Sequence, residues 1–322
     1  MDYLKTLSDA KANKSVIPEG CLSFSEEAVY LSEFAEREFT DLIKNIGINE
    51  LAVFESTGFM PVYEGAQLDT LQEAVKKFHV GNWAANKSFW EHVLKKFESK
   101  KAGAAKHIGS VDAKAIDGAK AENFGKVHAF VKHDANVYGS NAIKLIKQAE
   151  NTFNALAKKG ADAKEIKAAK NKFEAGICKA ISGKDVANVS AMRKAIAADL
   201  VGAEIAMNKA NAKKYFGAMK DIVVGGKTID DIKKCYNEEK KIYNEILKLA
   251  DKTSDENSSV VAALQSVVKS IAETAHACYA VEIDVYGRRF GEYRNVLVKI
   301  ASAKKAVKES AIDPMIESLF DF

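Results

Sequence analysis

The chain has 322 residues, of which 47% are hydrophobic and 29% are charged, which excludes a disordered protein and leaves enough apolar material for a large core. Only three prolines occur, and none lies between Pro61 and Pro314, so long helices are permitted over that interval. No segment approaches the roughly 18 apolar residues of a membrane-spanning helix, and the start of the chain lacks the pattern of a secretion signal.

The net charge of +4 is unevenly distributed. Residues 1–94 carry 8 basic and 15 acidic residues, whereas residues 95–184 carry 19 basic and 9 acidic residues. A basic middle region indicates contact with nucleic acid or with a charge-matched partner. It is equally consistent with the acidic and basic parts of the chain facing each other.

In chain order, the sequence predicts five parts. They are an N-terminal arm (residues 1–22), an acidic helical domain (23–99), a small mixed connector (100–139), a long-helix bundle (140–313) and an apolar C-terminal peptide (314–322). The predicted fold is all-α, an elongated bundle of long antiparallel helices with a small mixed α+β element near residues 100–139.

The acidic domain is expected to contain three helices. The first begins at the Ser23 capping box, and the second begins at Asp69 and closes near Gly81. Ser88 and Glu91 form the pattern of another capping box, which predicts a third helix over the aromatic segment that follows. The second and third helices would pack as a hairpin that hides these aromatic residues.

The connector is rich in glycine, and Lys126–Val131 alternates as a short strand would. After the connector, the sequence contains clear signals for where helices start and stop. The sequence predicts helices from Asn141 to Lys159, from the Asp162 and Glu165 capping box to Gly183, from Asp185 to Gly225-Gly226, and from the Thr228 and Asp231 cap to Ala250.

The last predicted helix, from Ser258 to Glu309, is the most regular. Its apolar residues step by four and three positions over nearly four heptads from Val260 to Val285. If Gly287 and Gly291 do not break it, this helix is about 78 Å long. The heptads also leave open a coiled-coil oligomer.

No catalytic or metal-binding motif stands out, so we expect neither an enzyme nor a cofactor. The four cysteines are scattered and read as small buried hydrophobes, and His128 and His133 have no metal-ligand spacing. Gly225-Gly226-Lys227-Thr228 resembles only the end of a phosphate-binding loop. The neighbouring acids Glu238 and Glu239 are predicted to face solvent.

Two sets of residues are candidates for binding. Basic residues that would contact the phosphates of nucleic acid are Lys158, Lys159, Lys164, Lys167, Lys170, Lys172, Arg288 and Arg289. The alternative is an ordinary soluble helix surface, with the two arginines paired to neighbouring acids. Apolar residues of the C-terminal peptide that would dock in a partner, or fold back on the bundle, are Met315, Ile316, Leu319, Phe320 and Phe322.

The front of the chain resembles bacteriophage virion structural proteins, including internal head proteins. The resemblance lies in Glu27–Leu31, Gly47–Gly58, Leu71–Phe78, Phe89–Phe97 and Gly125–Phe130, and covers about the first 130 residues. It implies a non-enzymatic protein made in the host cytoplasm and incorporated into the phage particle, within the head. Its partners would be other virion proteins, itself or DNA, in an oligomer or larger assembly. The resemblance transfers no site residues.

Two other functions are consistent with the sequence. The Ala-rich segment Ile196–Met207 and the aromatic segment at Phe89 suggest a membrane-active, pore-forming or ejected helical protein. The lysines between 158 and 172 suggest a nonspecific DNA-binding protein, which would bind DNA in a salt-sensitive manner.

Overall fold

The computed structural model describes residues 71–131, 134, 136–253 and 258–305. Helices make up 82% of these residues, which confirms the predicted all-α fold with a small mixed element. The N-terminal arm, the helix from Ser23 and the C-terminal apolar peptide lie outside the described residues.

The described elements alternate long helices with one small antiparallel sheet. The helices are α1 (Leu71–Ile108), α2 (Lys114–Asp117), α3 (Asn136–Lys158), α4 (Ala163–Ser182), α5 (Val189–Leu200), α6 (Lys209–Lys220), α7 (Lys227–Ala250) and α8 (Ser258–Lys305). The strands are β1 (Asn123–Phe130) and β2 (Val201–Asn208), and a π-helix, Asp221–Gly225, joins α6 to α7.

Helix α8 is the centre of the bundle. It packs against each of the other seven α-helices, the π-helix and β1. Its 48 residues run unbroken past Gly287 and Gly291, as predicted, for about 70 Å. The heptad positions from Val260 to Val285 are buried, and so are many residues on its other faces, because other elements pack against it on several sides. The heptad stripe is therefore used within the chain.

One hydrophobic core joins the front and rear of the described chain. A continuous cluster of buried side chains runs from Phe89 in α1 to Ile300 in α8. A smaller cluster lies around Val75 and Phe78 near the start of α1.

Helix α1 differs from the predicted hairpin. It is a single 38-residue helix, in which both Gly81 and Ser88 are interior residues. The prediction of two helices was wrong because it rested on a glycine and a capping-box pattern, and neither is decisive. Glycine inside a helix costs only about 1 kcal/mol relative to alanine, which is small beside the burial of Phe89, Trp90 and Phe97 against the bundle.

Helix α4 follows the predicted punctuation, and α3 ends within one residue of the prediction but begins at Asn136, five residues before the predicted Asn141. The turn between them contains Gly160 in the left-handed region, with φ of 64°. Asp162 caps α4: its side chain accepts a hydrogen bond from the backbone N–H of Glu165, and the Glu165 carboxylate accepts one from the backbone N–H of Asp162. Gly183 ends α4 with φ of 71°.

The predicted long helix from Asp185 to Gly225 is wrong. The segment contains α5, strand β2, α6 and the π-helix. Strand β2 pairs antiparallel with β1, with Val127 opposite Ile205 and His128 opposite Glu204. Pairing with a strand 78 residues earlier overrides the local helix preference of an Ala-rich stretch. The predicted strand at Lys126–Val131 corresponds to β1.

The start of α7 also differs from the prediction. Its first residue is Lys227, and the residue before it, Gly226, makes no side-chain capping bond. Thr228 lies inside the helix, and its hydroxyl donates to the carbonyl oxygen of Ile222 at 3.0 Å. The hydroxyl therefore joins the π-helix to α7 and does not cap α7.

Candidate functional site

The outer face of α4 carries a stripe of lysines. The inner face contacts the core through Ile166, Ile177 and Ile181, all buried. At about 100° per residue, Lys164, Lys167 and Lys172 fall within roughly 140° of arc on the other side of the helix. All three are exposed, and the residues between them on that side are small or uncharged polar: Ala168, Asn171 and Ala175.

The acids beside this stripe are already engaged. Glu165 pairs with Lys159 at 2.6 Å, and Glu174 pairs with Lys170 at 3.6 Å. Within the described part of the chain, no carboxylate forms an ion pair with Lys164, Lys167 or Lys172, nor with Lys158 at the end of α3. We define these four residues as the lysine face. Its charge is not neutralised by the described chain.

The structure separates the two arginines that were grouped with these lysines. Arg288 is exposed on α8. Arg289 is only 3% exposed, and its guanidinium donates a hydrogen bond to the carbonyl oxygen of Leu200 at the end of α5. Burial lowers the pKa of Arg289. Arg289 therefore holds α5 against α8 and is not available on the surface, which corrects its assignment as a nucleic-acid contact.

A second polar cluster lies inside the bundle, around Glu239 of α7. Its carboxylate is 0% exposed. From α1, the indole N–H of Trp90 donates to Oε2 at 2.7 Å and the amide of Asn86 donates to Oε1 at 2.7 Å. From α8, Nδ1 of His276 lies 3.0 Å from both oxygens, and it is the donor because a carboxylate only accepts. We refer to these four residues as the Glu239 cluster.

The prediction that Glu238 and Glu239 face solvent was wrong. Glu238 is 7% exposed and pairs with Lys241, and Glu239 is fully buried. A signal was present in the sequence. Glu239 occupies the position four residues after Cys235 and four before Tyr243, so it lies in the apolar stripe of α7. An acid in such a stripe requires hydrogen-bond donors from neighbouring elements.

A second buried acid, Glu282 of α8, lies farther along the same helix contact. It accepts hydrogen bonds from the thiol of Cys235 at 3.4 Å and from the hydroxyl of Tyr286 at 3.2 Å. Burial raises the pKa of the Cys235 thiol well above its ordinary value, so the thiol stays protonated and serves as a donor. Like Glu239, this acid joins α7 to α8.

The β1–β2 sheet is fixed to α8 by a third set of polar contacts. The backbone N–H of His128 donates to Oε2 of Glu292 at 2.8 Å, and its Nδ1 lies 2.8 Å from Oε1. The hydroxyl of Tyr293 donates to the carbonyl oxygen of His128 at 3.0 Å. His128 therefore has a structural role in attaching β1. His133 lies outside the described residues.

A cavity of about 280 Å³ lies between α1 and the start of α7. Carboxylates and ammonium groups both line it, from Glu98, Asp230, Lys101 and Lys233. Gly225 ends the π-helix that borders the cavity and Gly226 follows it, whereas a phosphate-binding loop follows a strand. The two acids offset the charge of the two lysines, so the cavity does not resemble a nucleotide site.

Among the described residues, no group of three or more histidine, cysteine or acidic side chains is arranged to hold a metal ion. Comparison of the chain with known protein families, with curated proteins and with solved structures gives no match. The features from which a function can be inferred are the lysine face, the buried clusters and the resemblance of the front of the chain to virion structural proteins.

Proposed function

We propose that this chain is a non-enzymatic structural protein of a bacteriophage particle. It is made in the host cytoplasm and held inside the head, where it packs against the shell, other copies of itself or DNA. The resemblance of about the first 130 residues to virion structural proteins supports this function.

The observation that carries the proposal is how the described body uses its polar residues. Glu239, Glu282 and His276 are buried and bonded to neighbouring helices, so they strengthen the bundle. Unpaired positive charge lies on the outside, and the lysine face of α3 and α4 is part of it. A helical body whose outer surface carries unpaired positive charge can pack against an anionic partner such as DNA.

The proposal is tested by locating the protein. We expect its peptides in mass spectra of particles purified by density gradient from an infected culture, at a constant ratio to the shell protein across gradient fractions. A nonstructural protein from the same lysate serves as the control for contamination. Absence from purified particles, with the protein present in the lysate, would contradict the proposal.

A second candidate is a nonspecific DNA-binding protein that acts in the infected cell, and the lysine face favours it. The same fractionation separates the two functions. A cell-acting DNA-binding protein would stay with unpackaged DNA in the lysate, and nuclease treatment would release it. A head protein remains with particles after that treatment because the shell protects it.

The residues that suggested a membrane-active protein have other roles in the structure. Phe89 and Trp90 lie in the core, 3% and 0% exposed. The segment Ile196–Met207 is the end of α5 followed by most of β2. No described helix is long and apolar enough to cross a bilayer. We therefore place this alternative behind the first two.

A further inference from the structure

We infer that the lysine face, Lys158, Lys164, Lys167 and Lys172, binds the phosphate backbone of double-stranded DNA without reading its sequence. The inference deepens the proposed function by naming one partner of the head protein, and its biological setting rests on that function. The surface itself is argued from the geometry of α4.

The ammonium groups of the lysine face are available to bind an external anion. Some lysines elsewhere in the bundle are matched with acids: Lys234 pairs with Asp231 at 3.4 Å, and Lys248 pairs with Glu245 at 2.6 Å. On the lysine face the nearby acids are matched with Lys159 and Lys170 instead. The remaining ammonium groups can therefore approach an external anion without first breaking an internal ion pair.

The surface between these lysines is free of large side chains. Between the lysines of α4 lie Ala168, Asn171 and Ala175, none of which projects far enough to hold a ligand away from the helix. Lys164 and Lys172 are about 12 Å apart along the helix axis. Duplex DNA carries one negative charge per about 1.7 Å of its axis, so a stripe of this length faces several phosphates.

The lysine face suits DNA better than an anionic membrane. A helix that binds lipid needs large apolar side chains on the face that enters the bilayer. The apolar residues of α4 contact the core, and none of the exposed large hydrophobic residues in the described chain belongs to α4. The surface can therefore attract an anionic polymer but has nothing to insert into lipid.

The side chains of this surface are not suited to reading a DNA sequence. The lysine face carries no arginine, and its only amide side chain on α4 is Asn171. Lysine acts as a flexible point charge, whereas bidentate contacts from arginine, asparagine or glutamine read base edges. We therefore expect binding that depends on salt and depends little on sequence.

The test uses the full chain and a mixed-sequence duplex of about 30 base pairs, with binding followed by fluorescence anisotropy from about 50 to about 200 mM salt. The variant is K164Q/K167Q/K172Q. We expect its affinity at low salt to fall at least about tenfold, and the slope of log K against log salt to become shallower by about three. The arginine variant K164R/K167R/K172R should retain both values.

The matched control is K233Q/K234Q/K248Q, which removes the same charge from α7. Its lysines already pair with Glu98, Asp231 and Glu245. Equal losses in the two triple variants would overturn the inference, because net charge alone would then explain binding. Circular dichroism confirms that each variant is folded.

Two further outcomes distinguish the inference from the proposed function. If the particle contains the protein but the two triple variants bind DNA equally, the structural function stands and the lysine face is not the DNA surface. If the DNA result is as expected but the particle lacks the protein, the surface stands and the head assignment fails. Tighter lysine-dependent binding to anionic phospholipid vesicles than to the duplex would also overturn the inference.

Discussion

His79 illustrates how burial sets the chemistry of a single side chain. It lies in α1 with 1% of its surface exposed, and its Nε2 is 2.7 Å from Oε1 of Gln265 in α8. The pKa of His79 is lowered to about 4, chiefly by burial, against which the hydrogen bond to Gln265 acts and to which the charge of Lys269 adds. His79 is therefore neutral in the folded protein at neutral pH.

This shift predicts a loss of stability in mild acid. Above pH 6.5, the ordinary pKa of histidine, His79 is neutral in both the folded and the unfolded chain. As the pH falls towards 4 the unfolded chain binds the proton first, so the free energy of unfolding decreases by on the order of 3 kcal/mol. His79→Gln should flatten the dependence of stability on pH in this window, as measured by urea unfolding at several pH values.

The control for this prediction is His107→Gln, which changes an exposed histidine near the end of the same helix. The flattening expected of the His79 variant is judged against this variant. A wild-type slope in the His79 variant would show that other groups cause the acid sensitivity.

At the scale of elements, local signals predicted some helix ends, and contacts between distant residues were missed. The capping box at Asp162 and the glycines after α3 and α4 act within a few residues, so the sequence defines those helix ends. Strand β2 depends on β1, and the continuity of α1 depends on burial against α7 and α8. Neither contact is visible in a local pattern. The Glu239 cluster was missed for the same reason, since its donors come from α1 and α8.

The β1–β2 pair gives an element-scale prediction. A Cβ added to Gly202 would lie 2.5 Å from the carbonyl oxygen of Ala129 in β1, so Gly202→Ala forces the strands apart. We expect a loss of about 1–3 kcal/mol in the free energy of unfolding. Gly217→Ala in α6 is the control, because that position is open and alanine favours a helix by roughly 0.5–1 kcal/mol. Thermal unfolding should therefore show midpoints that move in opposite directions, and a Gly202→Ala midpoint at or above wild type would contradict the strand contact.

At the scale of the whole molecule, the Glu239 cluster joins three helices that are distant in sequence. Glu239→Ala would leave the indole of Trp90 and the imidazole of His276 without their acceptor, whereas the amide of Asn86 also donates to the hydroxyl of Tyr243. Losing a buried charged partner costs roughly 3–5 kcal/mol. Because one core includes all three helices, we expect hydrogen exchange to accelerate in α1, α7 and α8 together.

Glu245→Ala is the matched control on α7. Its partly exposed pair with Lys248 is worth at most about 1 kcal/mol, so exchange should change little. Faster exchange confined to α7 in the Glu239 variant would mean that the cluster does not couple the helices.

The central position of α8 also bears on how the protein is made. Translation proceeds from the N-terminus, so the ribosome completes α1 to α7 before it releases residues 258–305. Each of these helices contacts α8, and until it emerges their apolar faces lack the surface that covers them in the finished bundle. The nascent chain therefore passes through a stage in which the apolar faces of α1 to α7 are not fully covered, and a chaperone that shields apolar surface would act during this interval.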